Sequence, residues 1–411
     1  MSQIQIRSPK ASLRKILVFT IPLAILLFIL VCGFVLPGSQ QFSHLAQAFL
    51  HHQLNFLSPI GGTGYDSILY HGKIYWGEGP FPAILLMPFV GIFKLFHTFF
   101  YQNYLTWILT LGVVYFVFKL ARSLFYSKED SLILMLGFVL GSVFIGVASV
   151  SSSWLFAQVL TTFLLFWGLY ELCGRKYPRW WLLGIIGGLI LITRATAAPI
   201  LIFFCFELWQ KSNKTPKKLT KFAQLCLPVI AAFILLGIYN FMRFHNPFNG
   251  GYAYQLISLP PAQSRSLGVF SLLHIPAGLY SVLLRGPVPI LRNSTSWTLK
   301  FPYIGNNIYG MSMFITSPYL LYLFTNKWSS FGPRARHLIV AILVSCLLVF
   351  SFYGLGMLQF GYRYSLDFLP ELFLLFMILY RNNHGHLSRG MKTLLLGSGI
   401  LNFYLLAFYI L

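Results

Sequence analysis

Residues 16–36 read ILVFTIPLAILLFILVCGFVL, an apolar run without a single charge. About 20 such residues are what a helix needs to cross the hydrocarbon core of a bilayer. The run is continuous rather than alternating, which fits a helix and excludes a strand of a β-barrel, where lipid-facing and lumen-facing residues take turns. Runs of the same kind recur at 82–99, 104–120, 131–149, 155–172, 222–241, 309–324, 337–354, 364–380 and 394–411. A broken pair at 181–193 and 196–209 adds roughly one more hydrophobic unit, for about eleven. The fold class is therefore all-α and polytopic, with some ten or eleven transmembrane or re-entrant helices in a single transmembrane domain, residues 1–411. Of the residues, 57% are hydrophobic and only 9% charged, with a mean hydropathy of +0.72.

A net charge of +22 raises the question of nucleic acid. The basic residues cluster at 7–15, 175–179, 211–221, 327–336 and 381–392, between spans, where cytoplasmic loops collect them. This argues against a nucleic-acid partner and for a multi-pass protein of the cell inner (plasma) membrane with a cytoplasmic N-terminus. The basic stretch before residue 16 imitates a secretory signal, but the run is long and no small-x-small site follows, so cleavage is not expected. The five cysteines show neither paired nor metal-ligand spacing.

The same placement puts both ends of the broken pair on one side, as a hairpin dipping into the protein with Thr193-Arg194-Ala195-Thr196 at its inner tip. An arginine there needs a cavity or a partner. If 40–80 is outside and 119–128 inside, 82–99 and 104–120 cannot both cross, and Pro82, Pro88 and Lys94 suggest that the former is short or re-entrant. Two exoplasmic segments exceed what a connection requires, 37–80 and 242–308, and both are too aromatic for disorder. The first opens with an amphipathic stretch, Phe42, Leu45, Phe49 and Leu54 against Gln41, Gln47, His51 and His52, suited to lie along the interface.

Only eight acidic residues occur, and Asp66 and Glu78 fall together in the first segment. Asp66 beside aromatic rings is placed to take a proton from an acceptor hydroxyl, and Glu78 ranks second as a catalytic candidate. The plainer alternatives are a solvated loop acid for Asp66 and an ion pair with Lys73 for Glu78. Tyr65, Tyr70, Lys73, Tyr75 and Tyr252 are candidate substrate-binding residues, the rings as platforms for a sugar or prenyl group. Arg194, Arg243, Arg285 and Arg363 are candidates for gripping a lipid phosphate, since a guanidinium matches phosphate oxygens two at a time. Against this stand a local Arg363–Asp367 pair at i+4, and anionic head groups or water for Arg243 and Arg285. The histidines show no ligand spacing. No cofactor is certain, and a divalent cation held by Asp66 and a donor phosphate stays open.

The run Tyr65-Asp66-Ser67-Ile68-Leu69-Tyr70-His71-Gly72-Lys73-Ile74-Tyr75, continued by 79–88 (GPFPAILLMP), resembles the first exoplasmic loop of GT-C membrane glycosyltransferases, the group that includes protein O-mannosyltransferases (glycosyltransferase family 39) and aminoarabinose transferases. Residues 187–194 (GGLILITR), 239–252 (YNFMRFHNPFNGGY) and 361–370 (GYRYSLDFLP) are similar to further signatures of the group, in the expected order. The resemblance implies an inverting transfer of a sugar from a polyprenyl-phosphate donor to a glycan, lipid or protein acceptor on the exoplasmic face. It maps Asp66 onto the general base, and Arg194, Arg243 and Arg363 onto basic positions near the donor. Two departures stand out: many relatives carry an acidic pair where this chain has Asp66-Ser67, and His245 replaces a common glycine. The lack of a large soluble C-terminal domain speaks against an oligosaccharyltransferase. Competing readings are a transporter or flippase, and a polymerase or ligase, of lipid-linked glycans; neither internal repeats nor acidic relays of the transporter kind are found.

Overall fold

The computed structural model describes residues 9–58, 66–212, 217–293, 297–327 and 331–410. Its helices are α1 (Pro9–Val35), α2 (Gln41–Leu50), α3 (Phe81–Leu95), α4 (Asn103–Ser123), α5 (Lys128–Val139), α6 (Phe144–Ser149), α7 (Ser153–Cys173), α8 (Trp180–Leu191), α9 (Ile200–Ser212), α10 (Lys218–Phe244), α11 (Leu259–Ser266), α12 (Ile275–Leu283), α13 (Met313–Thr316), α14 (Pro333–Ser351), α15 (Leu369–His384) and α16 (Arg389–Ile410). Short strands pair as β1 (Ser67–Tyr70) with β2 (Lys73–Trp76), β3 (Val288–Leu291) with β4 (Leu299–Gly305), both antiparallel, and β5 (Tyr309–Met311) parallel to β6 (Gln359–Gly361). Among the described residues, five stretches are long and apolar enough to cross a membrane by length and composition: Asn103–Ser123, Ser153–Cys173, Lys218–Phe244, Pro333–Ser351 and Arg389–Phe408. The chain is an all-helical polytopic membrane protein.

One end of the bundle is fastened by Gln102, which is fully buried. Its Nε2 donates to the carbonyls of Ser39 at 2.9 Å and Ser151 at 2.6 Å, and its backbone N–H donates to Gln40 Oε1 at 2.8 Å. The ends of α1 and α6 and the starts of α2, α4 and α7 therefore meet at one face. The segment containing α3 begins and ends at this face, because Phe81 N–H donates to the Ile192 carbonyl before it and Gln102 follows it. So α3, with Pro88 inside its 15 residues, folds back without crossing. Beside it α2 buries Phe42 and Leu45, but also Gln41, so the polar side expected of Gln41 is not realised.

Two expected spans are corrected. The run 131–149 breaks between α5 and α6, and 309–324 is no span at all but β5, the four-residue α13 and a 3₁₀ turn, Pro318–Thr325. Ser312 caps α13 at its start, while Ser317 and Pro318 break it at its end. Carbonyls released by such breaks inside an apolar core must find donors. Asn402, fully buried on α16, supplies one side chain to both: its Nδ2 donates to Leu140 O at 3.0 Å and to Thr316 O at 2.8 Å.

Candidate active site

The loop acids are carried by a tight hairpin. His71 at φ +47° and Gly72 at φ +72° supply the two left-handed positions that a two-residue type I′ turn needs, so Tyr70 pairs with Lys73 and Ser67 with Trp76. Tyr70 and Tyr75 pack on Phe244, with ring centroids 5.4 and 5.5 Å away, in a small cluster with Ile68. Lys73 lies exposed beside the turn, and among the described residues it forms no ion pair with Glu78. Tyr65 lies outside the described residues.

Arg243, buried near the end of α10, holds this hairpin in place. It donates to the Trp76 carbonyl and to Asn240 Oδ1, each at 2.8 Å, and stacks over Tyr239. Its other side contact is the Phe244 ring, so its fork faces protein and not a donor. Two residues on, His245 ends α10 at φ +55°, the left-handed position where glycine would meet no Cβ penalty. Arg285 is set against Tyr280 and Tyr309 and donates to the Tyr309 carbonyl at 3.2 Å.

Asp66 sits at the mouth of the hairpin at φ +62°, a left-handed conformation that aspartate tolerates better than most residues. Its N–H donates to the Leu256 carbonyl at 2.8 Å, Gln255 Nε2 reaches its carboxylate at 3.3 Å, and Gln255 in turn is held by the Tyr353 hydroxyl at 2.7 Å. Burial raises its pKa, against the opposing charge of Arg363 and a hydrogen bond from Trp154. A half-buried carboxylate that accepts from Gln255, on a residue whose backbone is anchored to Leu256, is not the solvated loop acid of the plainer reading.

Glu78 is the more deeply enclosed. Its Oε2 is buried with no hydrogen-bond partner, and burial lifts its pKa to about 7, with Arg194 and Arg363 pulling the other way and Asp66 and Asp367 adding to the rise. The following residue explains how it is held: a Cβ on Gly79 would lie 2.1 Å from Ile192 O and 2.9 Å from Thr193 O. Only glycine allows the loop to sit directly on the turn between α8 and α9.

That turn is where the hairpin of α8 and α9 ends. Both arms start from the opposite end of α7, where Arg179 pairs with Glu171 and Lys211 donates to Leu172 O. The tip, expected to stop inside the protein, comes up beneath the loop acids. There Arg194 binds Asp367 through both nitrogens, Nε to Oδ1 at 2.7 Å and Nη2 to Oδ2 at 2.8 Å, and Thr196 donates to Oδ2 at 2.5 Å. Asp367 is fully buried.

Arg363 does not pair with Asp367. Residues Arg363–Asp367 form a 3₁₀ helix, in which i and i+4 point about 120° apart instead of sharing a face. Arg363 is buried, and its polar partners are uncharged, Gln359 Oε1 at 3.2 Å and the Tyr364 hydroxyl at 3.5 Å. Among the described residues no carboxylate forms an ion pair with it, although Asp66 and Glu78 both feel its charge. Tyr364 lies against both guanidiniums, its ring centroid 5.6 Å from Arg194 and 5.0 Å from Arg363. Tyr252 borders the same charges, and burial and Glu78 push its hydroxyl up to about 12.

Of the eight acids, Glu129 and Asp130 pair with Lys392, Glu171 with Arg175 and Arg179, and Glu207 with Arg334 and His337, all at the basic-loop end. Glu371, within α15, has no hydrogen-bond partner for its carboxylate among the described residues. The remaining three, Asp66, Glu78 and Asp367, converge with two arginines at the other end. Among the described residues no three His, Cys, Asp or Glu side chains are grouped closely enough to hold a metal ion. Sequence reasoning missed Asp367 as a member, along with Trp154, Gln255, Tyr353 and Tyr364; an acid and an arginine four residues apart at the start of an apolar run was the one signal, and it pointed to the wrong pair.

Neither a family model nor a curated protein sequence matches the chain. Among solved structures, two of an oligosaccharyltransferase from Archaeoglobus fulgidus align with it. One is AglB in complex with an inhibitory peptide and a dolichol-phosphate, at 13% identity and a TM-score of 0.43. The other is the apo form, at 13% and 0.42. Each alignment covers 94% of this chain and 55% of the other, so the chain spans about half the length of these proteins. What the site does is read from its own residues.

Proposed function

We propose that this protein is a membrane glycosyltransferase of GT-C type, moving a sugar from a polyprenyl-phosphate donor to an acceptor hydroxyl on a glycan, lipid or protein at the exoplasmic face of the plasma membrane. The observation that carries the reading is Arg363: a buried guanidinium without an ion pair among the described residues, whose charge is felt by a carboxylate that accepts from Gln255. A buried charge without a counter-charge is costly, and an anionic ligand supplies one. Donor phosphate would sit on Arg363, with Tyr364 and Tyr252 beside the sugar.

The reaction then needs one base. Asp66 takes the acceptor proton as the acceptor oxygen attacks the anomeric carbon; the bond from that carbon to the phosphate oxygen breaks on the far side, and the electron pair leaves with the phosphate, whose charge Arg363 stabilises. Attack opposite the leaving group inverts the anomeric centre. Arg194, saturated by Asp367, acts as a positioning residue that fixes the 3₁₀ turn bearing Arg363. A divalent cation, if the reaction uses one, would take its ligands from Asp66 and the donor phosphate.

The test is mass spectrometry of surface glycans and lipid-linked sugars in cells with the wild-type chain, without it, and with Asp66→Asn. The expected result is loss of one sugar modification and accumulation of its lipid-linked donor in both deficient strains. Full modification by Asp66→Asn, present at normal levels in the membrane, removes the base and with it the mechanism.

A further inference from the structure

Five charged groups meet at this site. Arg194 is neutralised by Asp367 through two hydrogen bonds, whereas Arg363 has no ion pair among the described residues and only feels the charge of Asp66. Glu78 is the fifth. From the α8–α9 tip it is faced by Arg194, from the 3₁₀ turn by Arg363, Asp367 and Tyr364, from the β-hairpin by Asp66, and from the stretch after α10 by Tyr252. Uncharged, it leaves the site at net zero; ionised, it leaves the site at minus one, and its negative charge competes for the guanidiniums that an anionic ligand would use.

The backbone gives Glu78 no way to withdraw. Gly79 is wedged against the Ile192 and Thr193 carbonyls, and Oε2 is sealed from solvent without a partner. Ionisation of a carboxylate placed there changes what can bind beside it. We propose that Glu78 is a charge gate on the donor site: protonated, it admits an anionic phosphodiester to Arg363, and ionised, it excludes it. This rests on the reading of Arg363 as the phosphate-binding residue, and it gives Glu78 a role separate from that of Asp66.

Binding of the anion and protonation of Glu78 are then linked, each favouring the other. The experiment measures binding of a polyprenyl methyl phosphodiester, whose one charge does not titrate near neutrality, to the full chain in lipid nanodiscs from pH 5.5 to 8.5. Wild-type affinity is expected to be flat below about pH 7 and to fall up to about tenfold per pH unit above it. Glu78→Gln is expected to bind tightly throughout. A flat wild-type profile, or a wild-type slope retained by Glu78→Gln, overturns the gate while leaving the donor site in place. Absence of binding at every pH overturns the donor site itself.

Should Glu78→Gln fail to fold, wild-type protein alone decides the matter through calorimetry at pH 8 in buffers of different ionisation enthalpy. Uptake of about one proton per ligand bound is expected, and no uptake overturns the gate.

Discussion

Arg194 and Asp367 meet edge to edge, Nε to Oδ1 at 2.7 Å and Nη2 to Oδ2 at 2.8 Å, although 173 residues separate them in the chain. The pair ties the tip of a helical hairpin to the turn that opens α15, and the loop bearing Glu78 and Gly79 rests on that tip. Three segments remote in sequence are thereby registered against one another at the site.

Breaking this pair from one side leaves a buried charge uncompensated, which costs about 3–5 kcal/mol. Arg194→Ala and Asp367→Asn are each expected to lower the thermal midpoint of the purified protein sharply. A change in donor affinity with unaltered stability would instead give Arg194 a direct contact with phosphate.

Arg363→Lys keeps the charge but loses the planar fork. Donor KM is expected to rise about 10- to 100-fold with kcat changed less, in line with the loss of a charge-assisted hydrogen bond worth about 1.5–3 kcal/mol. Steady-state kinetics with a purified lipid-linked sugar measures the split; an unchanged KM would remove Arg363 from the donor site.

Glu78 also marks the stability of the fold. Its pKa is lifted from the model-peptide value of 4.5 to about 7, so the folded protein holds a proton that the unfolded chain has released. Stability from this group is present below the unfolded value and lost as pH rises through the folded one. Glu78→Gln, which cannot ionise, is expected to be more stable than wild type at pH 8, by up to about 3 kcal/mol, with the difference vanishing towards pH 4.5. Thermal unfolding across pH 4.5–8 checks the trend.

Asn402 answers two helix breaks with one amide. Asn402→Leu preserves the bulk of the side chain and leaves the Leu140 and Thr316 carbonyls short of a donor, at about 1–3 kcal/mol each. The expected result is a lower melting temperature and faster amide exchange near residues 140 and 316. Unchanged stability would mean that these carbonyls find other partners.

Long apolar runs are a property of neighbouring residues, and a bilayer reads them by length alone. That is why α1, α4, α7, α10, α14 and α16 were legible in the composition of their own segments, and why 82–99, with its prolines and awkward charge placement, declared itself short. Asp66 and Glu78 were legible too, as acids in a chain nearly stripped of them. The same local rule failed at 131–149 and 309–324, which are apolar enough to span but break, their freed carbonyls accepting hydrogen bonds from Asn402 far along the chain.

By itself the sequence determined a helical membrane protein with two of its few acids, Asp66 and Glu78, set together in one loop. Only the tertiary structure decided which charges meet. Pairing depends on direction and distance after folding: a 3₁₀ turn aims Arg363 away from Asp367, the α8–α9 tip delivers Arg194 to it instead, and the consequence is that Arg363 is buried with no carboxylate paired to it among the described residues.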